Sequence, residues 1–176
     1  PVVRTRKEIL GISKVPDKHK RELRRANEIT RRTALLLTAA HRAGTEFVLE
    51  NPADRRDEKQ TILFQVAEHG PIWLDPHVEA LRRSCGAEAV TFAQCMFGAD
   101  VQKYTTLLFT AGLAPMLRPL HQMVCSHSPG AHTMAGGAQR GDGTWNSAPA
   151  AAYPADFNMF VCDAFVTYIL GRESAE

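Results

Sequence analysis

The stretch YTTLLFT (Tyr104–Thr110) decides the fold class. β-branched and aromatic residues fill it, which is the composition of a strand rather than of a helix or a loop. Upstream, AVTFAQCM (Ala89–Met96) reads as a second strand, broken by Gly98. Before that, Asp75-Pro76 opens a helix running to about Cys85. Asp75 is the N-cap, Pro76 stands in the first turn, and Gly86 closes the helix. Residues 53–72 are polar with a weak helical stretch, and Thr45 to Leu49 form a short buried strand that Pro52 ends. From His19, apolar residues recur at three- and four-residue steps (Leu23, Ala26, Ile29, Thr33, Leu36, Leu37, Ala40), a helix that stops at Gly44. Downstream lie a short helix at 114–125 and a Gly/Ser/Ala-rich loop at 126–152. A strongly apolar helix follows, from Pro154 to Leu170.

That order predicts a layered α/β protein: a partial Rossmann-like sheet, partly parallel and flanked by helices. The chain, residues 1–176, reads as a single α/β domain with an irregular basic N-terminal arm at 1–18. Three strands make a thin sheet with both edges open, and the chain begins with Pro1 rather than Met. The open edges hint at a larger sheet, and the Pro1 start suggests a chain that is processed or a fragment of something longer.

Composition narrows the class. The length suits one sizeable core, and no apolar run reaches the roughly 18 residues of a membrane span. The four cysteines (Cys85, Cys95, Cys125, Cys162) form no CxxC pair, so an intracellular protein, nuclear or cytoplasmic, with reduced thiols is expected. The net charge of +2 is unevenly spread: residues 1–43 hold twelve Lys/Arg against four Asp/Glu. Arg21, Arg24 and Arg25 lie on the first helix of that basic segment. Such a helix could meet nucleic-acid phosphates, or it could simply be a solvated face.

FVLENPADR (Phe47–Arg55) carries the candidate chemistry. Ligands of open α/β sheets bind at the carboxyl ends of strands, where Glu50, Asn51 and Pro52 are expected. A carboxylate there can hold or donate a proton, and an amide offers both a donor and an acceptor. The trio could read the edge of a base, or it could be a solvated strand end.

Other pieces occur in a telling order: AHRAG before ENP, then QCMFGADVQKYTTLLFTAGLAPML (94–117), then YPADF (153–157). Together they resemble the cytosine-5 DNA methyltransferase family, in its divergent phage and mobile-element versions, over roughly residues 20–170. The resemblance implies a base flipped out of the duplex and S-adenosylmethionine as methyl donor. Glu50 would contact ring nitrogen 3 of the cytosine, with Asn51 fixing the local geometry. Lys103 would lie near the DNA backbone, and Tyr153 and Pro154 beside the methyl donor. Two family elements have no counterpart: the Gly-rich cofactor turn and the Pro-Cys nucleophile segment upstream of Glu-Asn. The chain alone is therefore expected not to transfer methyl groups. They would belong to the remainder of a longer parent chain, or the chain is a non-catalytic nucleic-acid-binding module of a mobile element or phage.

HQMVCSHSPGAH (121–132) offers His121, Cys125, His127 and His132, all zinc-ligand types. The spacing matches no common finger, so no metal residue is assigned; a bound metal and a helix end with a His-bearing loop both stand. Arg140-Gly141-Asp142 reads as a chance tripeptide, and the surrounding glycines follow no strand. Trp73, Trp145 and Phe64 read as packing anchors, with base stacking as the alternative. Cys95, among Phe92, Met96 and Phe97, reads as an inert buried thiol on a middle strand.

Overall fold

The computed structural model describes residues 3–57, 66–128, 130–132 and 152–174. Helix α1 spans Asp17–Arg42 and ends as its sequence dictates. Gly44 adopts φ +83°, and its N–H and that of Thr45 return to the carbonyls of His41 and Ala40. Helix α2 spans Pro76–Ser84, and the Asp75 carboxylate accepts the His77 N–H at 2.9 Å. Short helical turns run from Ala111 to Gln122, with α3 at Ala114–Leu117, and α4 spans Ala155–Glu173. No helix among the described residues is long and apolar enough to cross a membrane.

Strands β1 (Val48–Pro52), β2 (Glu88–Ala93) and β3 (Tyr104–Phe109) form a sheet of order β1-β3-β2. All six residues of β3 are buried, as suits a central strand. Neighbouring strands run antiparallel, which corrects the expectation of partly parallel pairing. The ten-residue link from β2 to β3 suits an antiparallel return, whereas parallel neighbours need a longer crossover. Since β3 opposes both flanking strands, β1 and β2 point the same way, joined through α2 as a crossover with β3 inserted between them.

Two strand boundaries differ from expectation. β1 runs through Glu50, Asn51 and Pro52 instead of stopping before them. Pro52 is tolerated because β1 is an edge strand, where a missing N–H costs no ladder bond. β2 stops at Ala93, and Gln94–Phe97 turn into a 3₁₀ helix closed by Gly98 at φ +83°. Cys95 therefore lies on this turn and not on a middle strand.

The chain divides into two compact units, residues 1–89 with 106–111, and 90–105 with 112–176. In the first, Ala34, Phe47, Val78, Leu81, Cys85, Ala87 and Leu108 form a core, with Leu37, Leu49, Ile72 and Trp73 packed against it. Trp73 also donates its indole N–H to the Pro52 carbonyl at 3.0 Å. The basic segment before α1 is irregular, as expected, but it is tied down. Arg4 bonds Asn27, Asn27 donates to the Leu10 carbonyl at 2.7 Å, and Thr5 pairs with His69.

In the second unit, Phe92 stacks with Phe157 at 5.2 Å, and Phe97 meets Phe92, Phe157 and Phe160 at 5.5 to 5.8 Å. Phe92 is fully buried. Burying such a side chain is worth about 1.5–3 kcal/mol. Only Phe157 and Ala164 of α4 are buried; Met159, Val166, Ile169 and Leu170 are more than half exposed.

Candidate functional site

Glu50 and Asn51 are consecutive on β1 and both half-buried. Side chains of a strand alternate between faces. Asn51 therefore shares the face of Phe47 and Leu49, which pack into the first unit's core. Glu50 shares the opposite face with Val48 and Pro52. The two side chains do not converge: Asn51 stands on the packed side, and Glu50 on the side away from α1 and α2.

Arg21, Arg24 and Arg25 are all exposed on the first half of α1 and form no ion pair among the described residues. The second half differs. There Glu28 binds both Arg31 and Arg32 at 2.7 Å, and their hydrogen bonds hold its carboxyl down at about 2. Asp17 pairs with Lys20 at 2.7 Å. Arg21, Arg24 and Arg25 thus form a run of exposed basic side chains on α1, with Glu22 among them.

The structure brings Lys103 and Tyr153 together. The Lys103 ammonium lies 5.1 Å from the centre of the Tyr153 ring, and that ring packs on Phe157 at 5.7 Å. A cation–π contact of this kind is worth about 0.5–1 kcal/mol at an exposed site. Tyr153 is 39% exposed, and Pro154 caps α4.

A further cluster forms within the second unit. One ligand atom from each of Cys95, Cys125, His127 and His132 lies within 4.8 Å of all the others. Cys125 Sγ is 3.5 Å from His127 Nδ1 and 3.2 Å from His132 Nε2. Three of these residues come from the 121–132 segment and one from the turn after β2. His121 is exposed and is not a member. No metal residue was expected from the sequence; the structure gathers four side chains of metal-ligand type here. Cys95 is buried, as expected, and burial first, then the neighbouring Cys125, pushes its thiol up to about 12. A free Cys95 is thus a poor nucleophile. Cys85 lies in the first unit's core.

Sequence reasoning missed Cys95 as a partner because thirty positions separate it from Cys125. Three bonds close that distance: Ala93 N–H to the Met123 carbonyl (2.8 Å), Gln94 N–H to Lys103 (2.9 Å) and Cys125 N–H to the Tyr104 hydroxyl (3.2 Å). Arg140-Gly141-Asp142, Trp145 and Phe64 lie outside the described residues. Comparison with family models, curated proteins and solved structures finds no match to this chain.

Proposed function

We propose that this chain is the later part of a DNA cytosine-5 methyltransferase-like domain, with a Rossmann-like sheet of the S-adenosylmethionine methyltransferase type and Glu50 in its base pocket. The observation that carries this reading is the topology around β1. β1 and β2 point the same way and are joined through α2, while β1 is an edge strand among the described residues, a position where another strand can add. Further strands added there would make β1 an interior strand of a larger α/β sheet. Ile29, Leu35 and Leu36 of α1 are 55–70% exposed, which suits a helix face that packs against further protein.

Glu50 is the residue of chemical interest. On the face away from the α1–α2 core, its carboxylate can hydrogen-bond the ring nitrogen of a flipped cytosine and balance charge developing there. The residues present do not by themselves fit the methyl donor: Tyr153 is occupied by Lys103 and Phe157, and no Gly-rich turn precedes β1. The isolated chain is inactive in this reading, and the longest natural form of it transfers labelled methyl groups to cytosine-containing DNA. Glu50→Gln in that form removes the transfer while leaving DNA binding intact. Turnover by residues 1–176 alone, or undiminished transfer by Glu50→Gln, would refute the proposal.

A second reading is favoured by Arg21, Arg24 and Arg25: a non-catalytic nucleic-acid-binding module that works through α1. Replacing all three with Gln should lower the dependence of log affinity on log salt by about 3 for duplex DNA. An unchanged salt slope would dismiss α1 as the contact. Loss of binding in that variant, without methyl transfer by any longer form, would select this second reading.

A further inference from the structure

We propose that Cys95, Cys125, His127 and His132 bind one zinc ion in a closed, four-coordinate site. This goes beyond the nucleic-acid reading and does not depend on it.

The first argument is geometric. Zinc bonds of about 2.3 Å to sulfur and 2.0–2.1 Å to nitrogen require tetrahedral edges of roughly 3.3–3.8 Å between ligand atoms. The two separations from Cys125 Sγ, 3.5 Å to His127 and 3.2 Å to His132, fall at or near those edges. All four ligand atoms fit within 4.8 Å of one another, so small side-chain rotations complete the tetrahedron.

The second argument is chemical. Two thiolates and two imidazoles form a ligand set that suits zinc and leaves no protein position open for a reacting water. The site is therefore structural rather than catalytic. Binding displaces the thiol protons of Cys95 and Cys125, and the imidazoles bind in their neutral form.

The third argument is the support beneath the ligands. Cys95 sits on a 3₁₀ turn whose first residue, Gln94, is 1% exposed and donates its side-chain amide to Thr105 at 2.8 Å. Cys125 is fixed through its own N–H to Tyr104. Two ligands are thus placed by the ends of β2 and β3. The ion would fasten residues 123–128 and 130–132 to that frame.

The test uses the full chain. Protein purified without added metal is analysed for zinc, then stripped and titrated with cobalt(II). The expected result is one zinc per chain, with cobalt spectra showing thiolate charge-transfer bands and intense tetrahedral absorption. Cys125→Ser and His127→Ala should each weaken metal affinity by at least about tenfold, and His121→Ala should leave it unchanged. Cys95 is 5% exposed, so Cys95→Ser could fail to fold; the exposed His127 carries the test in that event. A well-folded chain that takes up no zinc and gives an octahedral, thiolate-free cobalt spectrum would overturn the proposal. So would zinc retained in His127→Ala but lost in His121→Ala, or a Cys95–Cys125 disulfide that persists in saturating zinc.

Discussion

Gln94 and Thr105 form a buried polar pair whose energetics can be worked through in full. The Gln94 side-chain amide donates to the Thr105 hydroxyl at 2.8 Å, and the two residues are 1% and 0% exposed. Thr105→Val removes the acceptor while roughly keeping its shape. The amide is then left where water does not reach, at a cost of about 1–3 kcal/mol. Gln94→Met strips the other partner and strands the hydroxyl, with a similar cost of about 1–3 kcal/mol. When both partners become apolar, neither is stranded, and the double variant should approach the parent protein in stability. Urea unfolding of the four proteins measures this directly. With a slope of about 1–3 kcal/mol per molar, a 2 kcal/mol loss moves the midpoint by roughly 1 M. The singles should each shift, and the double should lie well above their sum. A double variant that equals the sum within about 0.5 kcal/mol would refute the reasoning, because uncoupled sites behave in that way. Thr105→Val should also loosen metal binding, since Gln94 precedes the ligand Cys95 on the same turn.

Three further outcomes are expected. A Cβ at Gly70 would stand 2.7 Å from the Thr5 carbonyl oxygen, a backbone atom of the bridge to His69. Gly70→Ala should therefore cost about 1–3 kcal/mol in chemical denaturation, and a neutral result would show that the bridge does not form. Asp75 is 2% exposed and caps α2, so Asp75→Ala should cost about 0.5–2 kcal/mol and Asp75→Asn much less; equal costs would argue against the cap. Burial and the Arg55 charge hold His69 below its usual 6.5, so the folded state resists its protonation. Its contribution is fully present above 6.5 and is lost as pH falls through the depressed value. Thermal melts of His69→Gln should show a flatter acid limb than the parent, and superimposable limbs would contradict this.

The sequence was most readable where one residue type has one physical use. Asp75-Pro76 had to begin a helix, Gly44 and Gly98 had to end elements, and the threonines and aromatics of 104–109 had to be a strand. It was least readable where the decision is made by distant residues. Apolar letters continue past Ala93, so nothing local reveals that the chain turns there. The turn depends on Lys103 and Met123 receiving N–H groups from Gln94 and Ala93. The same long-range closure assembles the metal cluster, whose first ligand lies thirty positions from the second. Strand direction was also hidden, because a helix between β1 and β2 signals only that those two agree, not that they are adjacent.

The central place of β3 has a consequence for how the chain folds. Residues 48–52 and 88–93 are both synthesised before 104–109, the strand that separates them. Neither early strand has its native partner while it emerges, and each must wait without pairing to the other. α1 and α2 can form first, because their turns close locally. The native sheet cannot be completed until the fully buried strand 104–109 is available to pair with both of its neighbours. Until that moment VLENP and EAVTFA are exposed templates, and a nascent chain halted before residue 104 would be the species most prone to pair with a neighbour.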